Sequence, residues 1–465
     1  MTDGKRYFFC GIGGSGMLPL AMILRARGAD VAGSDRSRDQ GRFDEKFKYL
    51  EAAGITLYPQ DGSGLTSPSD TLVASAAVED TVPDVAAALR AGASRMTRAQ
   101  LLADIFNASD IPIGVAGTSG KSTTTAMAGW ILHDNGGDPT IMNGAVMKNF
   151  VAPDALFASA AVGGGAAFVS EIDESDGSIA MFNPKIAILN NVALDHKSME
   201  ELRDLFGGYI ERSSHAILNL DNDETRQFAG REICSLKSTF SIIDRDADYF
   251  GDTIVSQQSG VGFDVIEKSS GVRCHVDLKM PGRHNVSNAL GAIAASVAAG
   301  VDVKKAAASL SAFAGVKRRL EYVGEANGIT VIDDFAHNPD KISASLTTLC
   351  EFPGRLLVMF QPHGYGPLKK MGAELIAAFA DHLRAGDMLV MPPPVYFGGT
   401  VDRSVSSDDI VAGVVAGARD ARALASRDAC GELILQTAQP GDRIIVMGAR
   451  DDSLSEFARQ LLSEI

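Results

Sequence analysis

The chain has 465 residues, 45% of them apolar and 22% charged, and its formal net charge is -15. That length predicts roughly two to four domains, each able to bury its own core, and the acidic balance argues against non-specific binding to nucleic acid or to an anionic membrane. The Ala/Gly-rich run 289–301 is too short to span a bilayer, glycines interrupt the early apolar run where a signal peptide would need its apolar core, and five scattered cysteines without a C-x-x-C pair predict reduced thiols in a cytoplasm.

In chain order, the first strand-like run is Tyr7–Cys10. It leads into a turn where Gly11, Gly13 and Gly16 fit G-x-G-x-x-G, followed by an apolar helical run from Met17 to Leu24. Asp35 ends the next strand-like run, where an acidic residue would take a ribose hydroxyl. The physical content of this pattern is a backbone that lets a diphosphate approach closely and a helix N-terminus that favours its charge. NAD fits that description and so does a UDP-sugar. The runs VAGSD, ITLYP and TLVASAAV continue the block as strands, alternating with helical stretches such as FDEKFKYLEAAG.

A second strand–glycine turn–helix unit starts at Ile111 with IPIGVAGTSGKSTTT. Two such units predict two separate phosphate-binding sheets. The second block continues through FVSEID, KIAILNNV and HAILNLD to the Ala-rich helix after His284. A third contains ITVIDDFAHNP, RLLVMFQPHG, DMLVMPP and DRIIVMGAR, strands that end in polar or glycine-rich loops. Strands alternating with helices predict parallel sheets in α/β layers. The expected fold is α/β with three domains: a Rossmann-like domain at 1–109, a central P-loop ATPase-like parallel-sheet domain at 110–317, and a Rossmann-like C-terminal domain at 318–465.

The strongest chemical signal is Gly117-Thr118-Ser119-Gly120-Lys121-Ser122-Thr123. Its amides can cradle phosphates, Lys121 supplies a point charge that serves a ligand rather than a core, and Ser122 can ligate Mg²⁺. The strict P-loop pattern would need a glycine where Val115 stands. Four carboxylates, Glu171, Asp173, Glu174 and Asp176, end the FVSEID strand. One of them is a candidate second metal anchor, while for any single one a solvated acidic loop is the better account. Asp195 and His196 close the following strand-like run. Asn285 and Asn288, three residues apart before the Ala-rich helix, suit either a base edge or a helix cap. Lys317, Arg318, Arg319, Asp333, Asp334 and His337 gather charge at the second boundary.

In this order the motifs G-T-x-G-K-[ST], E-x-D-E-S-D, N-x-x-x-D-H, G-R-H-N-x-x-N, R-R and D-D-[FY]-x-H resemble the Mur ligases, ATP-dependent amide-forming enzymes of peptidoglycan synthesis. The resemblance spans all three blocks. It implies that Gly11, Gly13, Gly14, Ser15, Gly16 and Met17 hold a UDP diphosphate, with Ser34, Asp35 and Ser75 near the nucleoside. No nicotinamide is then needed, and a dehydrogenase would leave the second phosphate loop unexplained. It further implies that Gly117–Thr123 bind ATP, with Lys121 bridging phosphates, Ser122 and Glu171 on one Mg²⁺, and His196 supporting a second metal or an acyl phosphate. Asn285 and Asn288 would take the adenine side, Arg319 the γ-phosphate, and Asp334 the nucleotide from the third domain.

The opening loop and Glu171–Asp176 look most like family members that join L-alanine to UDP-N-acetylmuramate. The stretch 315–321 with Asp333–His337 looks more like those that attach recycled murein tripeptide to the same sugar nucleotide. The alanine-adding members carry Q-P-H-R-[YF], whereas this chain has Gln361-Pro362-His363-Gly364-Tyr365. The amine side is therefore expected around His337, His363, Tyr365 and Arg450, with Arg450 or Lys369 as replacement for the missing arginine. The resemblance implies a cytoplasmic enzyme, a monomer or homodimer, with no nucleic-acid or membrane partner. A non-catalytic sugar-nucleotide-binding paralogue is the alternative of another class, against which stand Lys121, Glu171 and His196.

Overall fold

The computed structural model describes residues 5–76, 78–194, 197–395, 402–449, 451 and 453–465. Helices and strands alternate around three sheets. The first contains β1 (Arg6–Cys10), β2 (Asp30–Ser34), β3 (Thr56–Tyr58), β4 (Asp70–Ala74) and β5 (Ser94–Thr97) in the order β3-β2-β1-β4-β5, all parallel. The run Tyr7–Cys10 is apolar throughout because both of its faces are covered: Tyr7 and Phe9 join one core, Phe8 and Cys10 the other. The chain winds outward from β1 and then returns to its other side at β4. The winding reverses there, where open α/β sheets leave a crevice for ligands, and the glycine turn leaves β1 at that point.

The central sheet repeats the device. It contains β6 (Ile111–Ala116), β7 (Thr140–Met142), β8 (Ala160–Ala161), β9 (Ala167–Glu171), β10 (Ile186–Leu189), β11 (His215–Asn219), β12 (Leu236–Ser241), β13 (Tyr249–Gln257), β14 (Gly260–Glu267) and β15 (Val272–Leu278). Their order is β15-β14-β13-β12-β11-β10-β6-β9-β7-β8, with β6 parallel to both β9 and β10. The second glycine turn leaves β6 between those two neighbours, so the strand ends carrying the carboxylates and the Asn190–Asn191 pair lie on either side of it.

The third sheet contains β16 (Glu321–Ala326), β17 (Ile329–Asp334), β18 (Leu356–Gln361), β19 (Met388–Met391), β20 (Asp420–Ala423) and β21 (Arg443–Gly448), in the order β16-β17-β21-β18-β19-β20. Among its described strands only β16 runs antiparallel to its neighbour. Leu356, Val358 and Phe360 of β18 face one core, and Leu357 and Met359 face the other, as the two-residue period of a strand requires. The chain is thus an α/β protein with three parallel or largely parallel sheets. Among the described residues no helix is long and apolar enough to cross a membrane, and all five cysteines are free.

The chain divides into two compact units. One comprises residues through 253, 263–277 and 286–316; the other comprises 254–262, 278–285 and 317–465. Within the first unit, the helix Arg98–Asn107 joins the first sheet to the central one. It starts from a capping box between Thr97 and Gln100. Near its other end, the fully buried Phe106 lies edge-on to Phe168 of β9 and to Phe182, with ring centroids 5.8 and 5.5 Å away. Asn107 closes the junction: its Nδ2 donates to the Met181 carbonyl and its Oδ1 accepts from the Asn183 amide, both at 2.8 Å. Phe106→Ala empties this joint and is expected to cost about 3–5 kcal/mol, read as a lowered midpoint in chemical denaturation.

Candidate active site

The turn after β6 is fastened from the end of β10. Thr118 and Ser119 donate their amides to the Asn191 carbonyl and Oδ1 at 3.1 and 2.8 Å, and Asn191 Nδ2 donates back to the Ser119 carbonyl at 3.2 Å. The backbone of the turn is thereby shaped before any ligand arrives. Asn191 belongs to the run noted in the sequence as a strand end, but its bracing role was not legible there; the doubled asparagine beside the loop strand was the only signal.

Lys121 opens the helix Lys121–Asp134 and turns back over the loop. Its Nζ donates to the Gly117 carbonyl at 2.6 Å and to Glu174 Oε2 at 2.9 Å. Glu174 is only 4% exposed. Burial pulls the lysine's pKa down, but the carboxylates of Glu174, Asp173 and Glu171 outweigh it and hold the pKa above its ordinary value. The side chain expected to serve only a ligand therefore also balances a buried acid. Next to it, Ser122 Oγ donates to Glu171 Oε2 at 2.7 Å. A Cβ on Gly144 would fall 2.1 Å from Glu171 Oε1, so a side chain there would push the carboxylate aside. Asn143 Nδ2 holds the Ser122 carbonyl at 2.9 Å.

This sorts the four carboxylates. Glu171 faces Ser122 and Glu174 faces Lys121. Asp173 and Asp176 accept the amides of Ser175 and Ser178 at 3.0 and 2.9 Å and so shape the turn. Burial alone would raise the Asp173 pKa; Lys121, the Ser175 hydrogen bonds and Arg98 overcome it and hold the carboxyl below its usual range. A serine hydroxyl beside a carboxylate is a donor set of hard oxygens, which suits Mg²⁺, an ion that commonly keeps water and substrate phosphate for its other positions. Among the described residues no three His, Cys, Asp or Glu side chains form a ready-made metal cluster.

Thr123 is buried in the helix, and Thr124 Oγ1 lies 3.3 Å from Asn288 Oδ1, bringing Asn288 to the phosphate loop. Asn285, one turn earlier, donates Nδ2 to the Pro281 carbonyl at 2.7 Å. His196 and Arg450, both expected at the site, lie outside the described residues.

In the first sheet, Asp35 organises the glycine turn: its Oδ2 accepts the Gly13 amide at 2.9 Å and its Oδ1 the Ser37 amide at 2.8 Å. Ser34 is fully buried, its hydroxyl donated to the buried Asp84. Gly14 and Ser15 are exposed, Gly11 and Gly16 half-buried, and Met17 buried at the start of its helix. Ser75 is exposed at the end of β4.

In the unit built on the third sheet, Arg319 sits between Arg318 and Leu320, whose φ values of 59° and 45° are left-handed. Such strain persists only where surroundings enforce it. Here the buried Arg318 is clamped by Asp333 Oδ1 at 3.2 Å and by the Gly448 carbonyl at 2.8 Å, while Asp334 Oδ1 accepts the Leu320 amide at 3.1 Å. The Arg319 guanidinium lies 4.5 Å from the centroid of the Phe335 ring. His337 bonds the Phe335 carbonyl at 2.8 Å through Nδ1 and stands edge-on to His363, with ring centroids 5.3 Å apart. Burial, with Lys341, His363 and Arg319 nearby, lowers its pKa to about 2, so the ring is neutral. Tyr365 lies beneath the Arg403 guanidinium, and the Lys369 ammonium is paired with Asp402. Gly364 takes φ 152° with only Pro367 Cδ, at 3.6 Å, near its missing Cβ. The space is open, but an arginine would be strained in this backbone.

Three consecutive family models match the chain: "Mur ligase family, catalytic domain" over residues 6–110, "Mur ligase middle domain" over 115–296, and "Mur ligase, glutamate ligase domain" over 318–450. The UDP-N-acetylmuramate–L-alanine ligase of Pelotomaculum thermopropionicum is 34% identical over 460 residues, covering 97% of this chain and 96% of the relative. That of Streptomyces coelicolor is 32% identical over 474 residues, covering 100% and 98%. Among solved structures, the UDP-N-acetylmuramate-alanine ligase of Thermotoga maritima superimposes with a TM-score of 0.80 at 25% identity, covering 98% of both chains. A murein peptide ligase of Psychrobacter arcticus gives 0.74 at 27% identity, covering 99% and 98%. With the two glycine turns at their sheet crevices, and with full-length relatives above 30% identity, the chain belongs to the Mur ligase family.

Proposed function

We propose that the protein joins the carboxylate of UDP-N-acetylmuramate to the amine of L-alanine, consuming ATP, as the printed names of its full-length relatives say of those enzymes. The single observation that carries the catalytic reading is the loop after β6, where Lys121 and the Ser122–Glu171 pair stand side by side. A carboxylate resists attack by an amine because its leaving group is poor. Transfer of the ATP γ-phosphoryl group to a carboxylate oxygen makes an acyl phosphate and releases ADP. The neutral amine then adds to the carbonyl carbon, a proton is lost from nitrogen, and phosphate leaves as the amide forms. Both steps shift negative charge, so fixed cations and donors in place beforehand lower the barrier.

In this reading Lys121 exchanges Glu174 for phosphate oxygens, the Gly117–Thr123 backbone orients them, and Arg319 meets the γ-phosphate. Asn285 and Asn288 would serve the adenine side, Asp334 would contact the nucleotide, and His196 would support a second metal or the acyl phosphate. Ser122 and Glu171 would hold Mg²⁺, which supplies charge neutralisation to the phosphates. The turn Gly11–Met17, with Ser34, Asp35 and Ser75, serves the UDP portion, and His337, His363, Tyr365 and Arg450 the amine. A second reading, ligation of a murein tripeptide, draws on Gly364, whose open space in place of an arginine suits a longer amine.

Lys121→Ala is expected to lower ligation by at least about a hundredfold. It also strands Glu174 without its partner, so the thermal midpoint falls. Adding Glu174→Gln restores the midpoint and leaves turnover lost, which separates the two roles of the lysine.

Glu171→Gln should raise the Mg²⁺ concentration needed for half-maximal turnover, with excess metal restoring part of the rate. Glu174→Gln should leave that titration in place. The reverse pattern assigns the metal to Glu174.

Competing L-alanine against L-alanyl-γ-D-glutamyl-meso-diaminopimelate at equal concentration should give the higher kcat/KM for L-alanine. A preference for the tripeptide selects the second reading and leaves the ATP and sugar-nucleotide assignments untouched.

A further inference from the structure

Strands β18 and β21 of the third sheet run side by side, with Gln361 opposite Gly448 at their ends. The turns that follow them are tied together by a side chain that no motif identified. Arg427 Nη1 donates to Ser453 Oγ at 2.7 Å, Nε and Nη2 both donate to Gln361 Oε1 at 3.3 and 3.1 Å, and Nη2 also pairs with Asp451. Each acceptor is itself engaged. Gln361 is 2% exposed and donates Nε2 to the Pro393 carbonyl, beyond the end of β19, at 2.9 Å. Ser453 donates its own hydroxyl hydrogen to Asp451 Oδ1 at 2.5 Å. One half-buried guanidinium thus spans the ends of three neighbouring strands.

Helix energetics alone do not place an arginine there. Arg427 is the first residue of the helix Arg427–Thr437, where a cation opposes the helix dipole. The helix start is already served by Ser426, whose hydroxyl accepts the Ala429 amide at 3.1 Å, and by Asp428 in its first turn. A planar fork reaches several acceptors at once, which a lysine ammonium does not. Asp451 is held from its other end too: Arg318 Nη1 donates to its carbonyl at 3.0 Å. Arg318 keeps Asp333 and the Gly448 carbonyl as separate anchors, so the loop bearing Arg319 does not depend on Arg427.

We propose that Arg427 is a positioning residue for the incoming amine substrate. It fixes the turn that carries His363 and Gly364 to the turn at Asp451, the residue that follows Arg450 in the chain. Because Gly364 leaves the first turn without an arginine of its own, the spacing between the two turns decides how well a cation from the second can serve the same substrate. Arg427 acts through the turns it joins and not on the substrate itself. This assignment rests on the reading of His363 and Arg450 as the amine side.

The test is steady-state ligation by the full-length protein, comparing the natural chain with Arg427→Ala, Arg427→Lys and Asp451→Asn. The readouts are the KM for L-alanine, the KM for ATP, kcat and the thermal midpoint. Arg427→Ala is expected to raise the KM for L-alanine about tenfold, with the KM for ATP held within about twofold. Arg427→Lys should recover part of that loss. Asp451→Asn keeps the shape of the pair and weakens the same tie, so it raises the KM for L-alanine by a smaller factor. Added to Arg427→Ala it should change little more, since both remove one interaction. Additive losses overturn the assignment. So does a parallel change in both KM values and kcat with a fallen midpoint, which marks a merely structural role. If Arg427→Ala does not fold, an unchanged KM for L-alanine in both Arg427→Lys and Asp451→Asn overturns it. If the natural chain ligates the tripeptide instead, the same split is read on the tripeptide's KM and the choice of amine alone falls. If it ligates neither, the amine-side reading falls and this assignment with it.

Discussion

Bringing ATP to the carboxylate of a sugar nucleotide calls for two phosphate-binding turns held at a fixed separation, and in this protein one hydrophobic joint holds them. Phe106 seated between Phe168 and Phe182 makes the helix Arg98–Asn107 part of the central sheet's core while its first turn stays with the first sheet. Interiors this tightly packed transmit displacement rather than absorb it. The turn after β1 and the turn after β6 thus belong to one compact unit, and their relative geometry does not depend on a flexible tether.

Given that frame, the chemistry at the turn after β6 follows from small distances. Ser122 and Lys121 are adjacent in sequence, yet each chooses a different carboxylate from the same acidic run, because the lysine reaches back along the loop while the serine faces β9. Gly144 leaves space for the second pairing, because a Cβ there would fall on the Glu171 carboxylate. The Asn191 brace keeps both side chains on a backbone that needs little reorganisation, which is what electrostatic stabilisation of a shifting charge demands.

How much of this was legible in the sequence depends on how local each feature is. The strands YFFC, IPIGVA, FVSE, IAIL and IIVMG announced themselves because parallel strands buried on both faces read as unbroken apolar runs. The glycine turns were legible because they must directly follow such strands. The partly exposed strands β5, β13 and β16 carry interleaved polar residues and gave no comparable signal. Sorting Glu171 from Glu174 was out of reach, since both follow the same strand and only the fold decides which cation or hydroxyl each meets. Arg98 was equally hidden: it lies far along the chain from Gly16, against which its side chain rests. The absence of an arginine at position 364 was plain in the letters; that the backbone there has turned to a conformation suited to glycine was not.

The Lys121–Glu174 pair gives the phosphate loop a property of its own. A phosphate-binding turn with a bare ammonium would be a trap for any small anion in solution, orthophosphate included. Here the charge is already answered from within, so an incoming anion must evict a resident carboxylate before it gains anything. A lone phosphate offers fewer contacts toward that exchange than a ligand that brings a chain of phosphates, a metal and a base. The internal acid works as a doorkeeper, raising the threshold for entry without narrowing the entrance.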